Sequence, residues 1–167
     1  AVPRQDKPHV RATLEFAPGT SFYGTGEVAG PLERSGRTVS LWNTDAFQYD
    51  DTSPQLYQSH PYVLAVRADG SALGVLADTI RRGTIAITSS SIEFVFESEP
   101  FDLYLIDGPD PRAVTRALAQ LAGRIALPPL WALGYHQCRW SYMSAEEVRS
   151  LASEFRRRGI PCDALWL

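Results

Sequence analysis

Short hydrophobic runs separated by polar turns fill the first two thirds of the chain. Several of them alternate at every second position, which is the pattern of half-buried β-strands. The clearest alternating sets are Ile92, Phe94 and Phe96 in one run and Phe101, Leu103 and Leu105 in the next. Other runs lie at 10–16, 38–42, 62–67, 73–77 and 84–88. Short, regularly spaced strands predict antiparallel sheets packed as a β-sandwich.

Residues 21–30 form a glycine-rich segment between two of these runs. Its glycines, Gly24, Gly26 and Gly30, do not have the G-x-G-x-x-G spacing of a dinucleotide-binding loop, and no helical pattern follows them. We therefore expect a turn between strands and no nucleotide site.

The pattern becomes helical after residue 110. Asp110 is a suitable N-cap, Pro111 suits the first helical position, and Gly123 can end the helix. The residues of its expected buried stripe recur at helical spacing and are Val114, Ala117, Leu118 and Leu121.

The last forty residues have the pattern strand, helix, strand, which is one unit of a parallel α/β structure. Ser144 and Glu147 have the spacing of a reciprocal capping box. The apolar stripe that follows is Val148, Leu151, Ala152 and Phe155. Three arginines at 156–158 and then Gly159 suit the helix end. Residues 162–167 are apolar, as in a strand that is buried on both faces.

These patterns predict a mainly β fold in three parts. Residues 1–110 are expected to form an antiparallel β-sandwich, and 111–126 a linker helix. Residues 127–167 are expected to form the first β-α-β unit of a larger parallel structure. The predicted elements contain no internal repeat.

Composition narrows the classes of partner. The 167 residues are 44% hydrophobic and 21% charged, with a net charge of −3, so neither nucleic acid nor an anionic membrane surface is expected as a partner. No apolar run approaches the roughly 20 residues that span a bilayer. The three histidines lack the paired spacing of a zinc site, so we expect no metal, and we expect no cofactor. Cys138 and Cys162 are expected to be buried free thiols in a reducing compartment, although a bridge between neighbouring strands is geometrically conceivable.

Residues 43–54 combine polar side chains with aromatic ones, and Trp42 comes directly before them. Aromatic faces cover the apolar C–H surface of sugars, while carboxylates and amides bind hydroxyls. The aromatic side chains of Trp42, Phe47 and Tyr49 could instead pack down on the core from an irregular connection. Both interpretations are open at this point.

Four segments together resemble the family 31 glycoside hydrolases, the α-glucosidase and α-xylosidase group. Their order and spacing over residues 21–167 give the resemblance its specificity. The segments are Phe22-Tyr-Gly-Thr-Gly-Glu27, Leu41-Trp-Asn-Thr-Asp45, Tyr57-Gln-Ser-His-Pro-Tyr62 and Leu127-Pro-Pro-Leu-Trp-Ala-Leu-Gly-Tyr-His-Gln-Cys-Arg-Trp140.

The resemblance implies a mutarotase-like β-sandwich, followed by the start of a (β/α)8 barrel that hydrolyses α-linked glycosides with retention. Active sites of such barrels lie at the C-terminal ends of the strands. Trp140 matches an aromatic position that lines the sugar pocket in relatives, and Arg139 stands beside it. Asp45 matches an acidic residue that relatives project over the barrel mouth. These three residues are the candidate substrate-binding residues.

Each candidate has a structural alternative. Trp140 could fill the upper layer of the barrel, and Asp45 could bond to its own loop. Glu27 is expected to have a structural hydrogen-bonding role, and His136 to be a satisfied core histidine.

The resemblance also implies that both catalytic aspartates come from later barrel strands. Residues 1–167 are therefore expected to contribute pocket walls for an α-linked oligosaccharide but no catalytic residue, and to be inactive alone. An incomplete barrel would leave open strand edges, so we expect self-association. The alternative function is a non-catalytic carbohydrate-binding or scaffolding β-sandwich, without the histidine and glutamate that a mutarotase would need.

Overall fold

In a computed structural model, residues 8–97 and 99–167 are described, and they divide into two compact units between Gly123 and Arg124. Residues 1–7, which the predicted sandwich includes, and Ser98 lie outside the described residues.

The first unit contains two four-stranded antiparallel sheets. One has the order β1-β7-β6-β3 and the other the order β2-β4-β5-β8. The described strands are β1 (His9–Glu15), β2 (Ser21–Gly26), β3 (Arg37–Leu41), β4 (Ser59–Val66), β5 (Ala72–Asp78), β6 (Gly83–Ile87), β7 (Ser91–Glu97) and β8 (Asp102–Gly108). This architecture is the mainly β, antiparallel fold that the hydrophobic pattern predicted.

The core is built from inward-facing side chains of both sheets. In β7 every second residue is buried, as predicted, and Phe94 and Phe96 are among the largest fully buried side chains. The same prediction is wrong for one residue of β8. Phe101 and Leu103 pack against the core, but Leu105 is 58% exposed. β8 lies at the edge of its sheet, where one flank of the strand has no neighbouring strand.

The glycine-rich segment is not the turn that we expected, because residues 21–26 form β2. The register with β4 shifts between Gly24 and Gly26, and Thr25 between them has a φ of 73°. A Cβ at Gly26 would lie 2.5 Å from the carbonyl oxygen of Gln58. The glycines therefore permit a bulge in close contact with β4 rather than a chain reversal.

A buried arginine fixes the chain that follows this bulge. Arg34 is 4% exposed, and its guanidinium donates to the carbonyl oxygens of Gly24, Val28, Ala29 and Pro31. Burial lowers the pKa of Arg34, with a further contribution from the nearby charge of Arg37. Because those carbonyls point at one side chain, residues 24–31 are held by that single cation.

Helix α1 (Pro111–Ala122) packs on β5 and β8 and belongs to the first unit. Its start is as predicted, since Asp110 accepts a hydrogen bond from the Ala113 amide at 2.7 Å. The buried stripe is shorter than expected: Val114 is fully buried, whereas Leu121 is 52% exposed.

The second unit contains a 3-10 turn (Leu130–Leu133), β9 (His136–Cys138), α2 (Ala145–Arg157) and β10 (Ala164–Trp166). β9 and β10 pair in parallel, which is the predicted strand-helix-strand arrangement. The first strand has three residues, and the 3-10 turn ahead of it has Pro129 at its N-cap position.

Two further expectations for this unit are wrong. β10 is not buried on both faces, since Trp166 is 53% exposed. Cys138 and Cys162 are both free, but only Cys162 is buried. No residue of β9 or β10 is buried.

Candidate functional site

The loop between β3 and β4 carries Asp45 between two anchored positions. The Thr44 amide donates to the carbonyl of Leu56 at 2.8 Å, and the hydroxyl of Tyr57 donates to the carbonyl of Ala46 at 2.7 Å. The backbone on both sides of Asp45 is therefore fixed to Leu56 and Tyr57, which lie at the end of the same loop, just before β4.

The carboxylate of Asp45 is exposed and makes no hydrogen bond with any described residue. The turn-forming role considered for it belongs to Asp50, which accepts hydrogen bonds from the Thr52 amide at 2.9 Å and the Thr52 hydroxyl at 2.6 Å. Hydrogen bonds from Thr52, the hydroxyl first, lower the pKa of Asp50. Asp45 thus presents two free acceptor oxygens on a restrained backbone.

The aromatic side chains of this loop face outwards. Phe47 is 84% exposed and Tyr49 58%, so the alternative that both pack on the core is wrong. Trp42 is half exposed, and the guanidinium of Arg82 lies 5.7 Å above its ring. Exposed aromatic faces beside a free carboxylate can bind the apolar and polar surfaces of a sugar.

In the second unit, Arg139 and Trp140 follow directly after β9. Because β9 and β10 are parallel, their C-terminal ends meet at one edge, and both residues leave from that edge. The side chain of Trp140 is fully exposed. Arg139 donates to Glu147 at 3.4 Å and stacks over the ring of Tyr142 at 5.6 Å. Its remaining N–H donors have no hydrogen-bond partner among the described residues.

Two family comparisons assign these units. Residues 2–85 match the glycosyl hydrolase 31 N-terminal galactose mutarotase-like domain, and residues 125–167 match the glycosyl hydrolases family 31 TIM-barrel domain. The chain belongs to glycoside hydrolase family 31. The predicted mutarotase-like sandwich, followed by the start of a barrel, is confirmed.

Sequence relatives of this family 31 chain are α-glucosidases. Alpha-glucosidase 2 of Bacillus thermoamyloliquefaciens is 42% identical over 149 residues, which cover 87% of this chain and 19% of that protein. Lysosomal alpha-glucosidase of Mus musculus is 33% identical over 152 residues, covering 89% of this chain and 16% of that protein. The chain therefore spans less than a fifth of the length of these two relatives.

Solved structures agree with this assignment. A family 31 alpha-glucosidase from Bacteroides thetaiotaomicron superposes with a TM-score of 0.83 at 42% identity, over 93% of this chain and 27% of that one. A family 31 dextranase from Flavobacterium johnsoniae, complexed with glucose, gives 0.86 at 28% identity, over 96% of this chain and 20% of that one.

Two other candidates of this family 31 chain are not in the surroundings that we expected. The side chain of Glu27 is exposed and makes no hydrogen bond with a described residue. The structural role belongs to Glu33, which accepts from the Phe22 amide at 3.0 Å and the Ser35 hydroxyl at 2.6 Å. His136 is half-buried at the surface of the second unit rather than in a core.

Sequence reasoning missed Glu33 and Arg34, and it assigned Glu147 only to a capping box. The available signal for Glu33 and Arg34 was that two charged residues follow the glycine-rich segment outside any predicted helix. No amphipathic pattern there assigns their side chains to a solvent-facing surface. Within residues 8–97 and 99–167, no group of three or more acidic, histidine or cysteine side chains could hold a metal ion. Among the helices of the same residues, none is long and apolar enough to cross a membrane.

Proposed function

We propose that residues 1–167 supply sugar-binding groups of a retaining α-glycosidase, with Asp45, Arg139 and Trp140 as substrate-binding residues. The observation that carries this proposal is that, in a family 31 chain, each of the three side chains has an exposed group that could bind a sugar. Asp45 offers a free carboxylate, Trp140 a fully exposed indole and Arg139 unpaired N–H donors. Carboxylates and guanidinium groups bind hydroxyls, and indole faces cover sugar C–H groups.

The substrate class is an α-linked glucoside. Several relatives are α-glucosidases, and the dextranase structures contain glucose or isomaltotriose. The α-glucosidase names and the dextranase complexed with glucose share this sugar, so we propose glucose as the sugar that the chain binds.

We also propose that the groups that break the glycosidic bond lie outside residues 1–167. Retaining hydrolysis needs two carboxylic groups about 5 Å apart at the scissile bond. In the second unit, Glu146, Glu147 and Glu154 are each paired with arginine. Asp163 precedes β10 and contacts Gly134 before β9, at the end of the strand pair opposite to Trp140. None of these carboxylates is available at the edge that carries Trp140.

The test compares the hydrolysis of an aryl α-glucoside by two polypeptides. Residues 1–167 alone should not hydrolyse it, whereas the longest polypeptide encoded by the reading frame that contains them should. In that polypeptide, Asp45→Asn should lower kcat/KM by about 10- to 100-fold, because a hydrogen bond to a charged group is lost. Trp140→Ala should lower it by about tenfold or more through lost stacking.

Asp51→Asn is the matched control for Asp45, because it neutralises another exposed carboxylate of the same loop whose side chain makes no hydrogen bond with a described residue. It should leave kcat/KM within about twofold. Turnover by residues 1–167 alone would contradict the proposal. Glucose binding without hydrolysis by either polypeptide would instead favour the non-catalytic carbohydrate-binding module.

A further inference from the structure

The segment that carries Trp140 has little structure of its own. Residues 139–143 lie between β9 and α2 and are neither strand nor helix. The indole of Trp140 is fully exposed, so packing within residues 124–167 does not orient it. Its direction therefore depends on how the backbone of these five residues is held.

One carboxylate contacts both ends of this segment. Oε1 of Glu147 lies 3.4 Å from Nη1 of Arg139, and Oε2 accepts a hydrogen bond from the Met143 amide at 2.8 Å. Glu147 itself is fixed at the start of α2, where its own amide donates to the Ser144 hydroxyl at 3.1 Å. The five residues are thus closed into a ring by a side chain of the first helical turn.

This arrangement differs from the capping box that the sequence suggested. In a capping box the third helical residue bonds to the amide of the N-cap residue, here Ser144. Glu147 bonds instead to the Met143 amide, one residue earlier, and to Arg139. The departure brings the carboxylate onto the segment that carries Trp140 rather than onto the helix alone.

Residues 139–143 also have a side-chain contact within the segment. The guanidinium of Arg139 stacks over the ring of Tyr142 at 5.6 Å, and the Tyr142 hydroxyl is enclosed. Both ends and the middle of the segment therefore have contacts, whereas the indole of Trp140 faces outwards. A backbone that is fixed before the sugar arrives loses less conformational entropy on binding.

We propose that Glu147 is a positioning residue for Trp140, holding the indole in its sugar-binding direction by tying Arg139 and Met143 together. This role rests on the proposed function for its sugar, but the restraint itself is a property of residues 139–147. Glu147 does not contact the substrate.

The first experiment uses residues 1–167 labelled with 5-fluorotryptophan. The chain has four tryptophans, so four ¹⁹F resonances are expected, and Trp140→Phe assigns one of them. Glu147→Ala should shift and broaden the Trp140 resonance. Glu146→Ala is the matched control, because it removes the neighbouring carboxylate, whose partner Arg149 is exposed and 4.0 Å away. It should leave the Trp140 resonance unchanged.

The second experiment uses hydrolysis by the longer polypeptide. Glu147→Ala should raise KM for the aryl α-glucoside about threefold or more, with a smaller change in kcat. In the Trp140→Ala background the same substitution should raise KM by clearly less, because only its effect on Arg139 remains. A merely structural role for Glu147 would raise KM equally in both backgrounds, and that result would overturn the proposal.

The two experiments separate this proposal from the proposed function. If the unmutated longer polypeptide does not hydrolyse α-glucosides, the proposed function is wrong. The ¹⁹F spectrum still tests whether Glu147 restrains Trp140. An unchanged Trp140 resonance in Glu147→Ala overturns the positioning role whatever the activity. Glu147→Gln, which keeps an acceptor for the Met143 amide, should give an intermediate shift.

Discussion

The indole N–H of Trp166 donates to Nδ1 of His136 at 3.1 Å, across the parallel pair β9 and β10. The other ring nitrogen, Nε2, lies 3.2 Å from the carbonyl oxygen of Trp131. The imidazole stacks on the Trp131 ring, with centroids 6.0 Å apart. One histidine therefore joins the 3-10 turn, the first strand and the second strand of this unit.

This geometry predicts the tautomer of His136. An indole N–H can only donate and a carbonyl can only accept, so Nδ1 must be bare and Nε2 must carry the proton. In mildly alkaline buffer, ¹⁵N spectra of the imidazole should show Nε2 protonated. Trp166→Phe removes the donor and should allow the second tautomer to appear. A predominantly Nδ1-protonated ring in the unmutated chain would contradict the assignment.

Gly74 is required by close packing between β5, Tyr62 and α1. A Cβ at this position would lie 2.8 Å from the Tyr62 hydroxyl and 2.9 Å from Cγ1 of Val114. We expect Gly74→Ala to lower the free energy of unfolding by about 1–3 kcal/mol through overpacking. Urea denaturation of the variant would measure this, and an unchanged midpoint would show that Tyr62 moves away freely.

Tyr62→Phe should have the opposite effect. The Tyr62 hydroxyl is enclosed and has no hydrogen-bond partner among the described residues, and burial raises the pKa of this phenol. Removing a buried, unsatisfied hydroxyl should raise the free energy of unfolding by about 1 kcal/mol. The same change should relieve part of the Gly74→Ala cost, because it removes one of the two clashing groups. Strictly additive effects in the double variant would contradict this coupling.

The sequence predicted those elements whose side chains alternate or recur regularly. The buried rows of β7 and the capped start of α1 could be found because burial follows strand and helix periods. Leu105 could not be distinguished from Leu103, since alternation says which face a residue is on but not that β8 lies at the edge of its sheet. The register shift in β2 was also hidden, because Gly24 and Gly26 have the composition of a turn.

The candidate site was less predictable than the fold. The family resemblance indicated Asp45 and Trp140 as candidate substrate-binding residues, but the contacts that restrain the backbone around them come from Tyr57 and Glu147. Those contacts depend on loop conformations that have no sequence period. Sequence spacing also placed Glu147 in an ordinary capping box, and only the three-dimensional arrangement shows its link to Arg139.

The second unit should promote association of residues 1–167. Several of its large apolar side chains are half or more exposed, and each strand of its two-stranded sheet has one unpaired edge. These exposed residues include Leu130, Trp131, Leu133, Trp166 and Leu167. Sedimentation velocity should show a mass that increases with concentration, and Leu130→Ser with Leu133→Ser should reduce this increase. Ile80→Ser, at a 98% exposed position of the first unit, is the control and should not. A monomer at all concentrations would contradict the prediction.

The end of α2 should make the stability of the chain depend on acid pH. The carboxylate of Glu154 accepts hydrogen bonds from Arg157 and Arg158, and these, Arg157 first, lower its pKa from 4.5 to about 2. Because the folded pKa lies below the unfolded one, the unfolded chain binds the proton first as the pH falls. The stabilisation is therefore complete above about pH 4.5 and is lost as the pH approaches 2.

Glu154→Gln should abolish this contribution to the pH dependence. Between pH 5 and pH 3, the unmutated chain should lose more of its free energy of unfolding than the variant does, and the difference should shrink in high salt because the groups are exposed. Glu146→Gln removes a carboxylate that faces its arginine at 4.0 Å, so it should resemble the unmutated chain. An NMR titration of the Glu154 side chain should have its midpoint near 2. A midpoint at the ordinary value would show that the two arginines do not hold this carboxylate in solution.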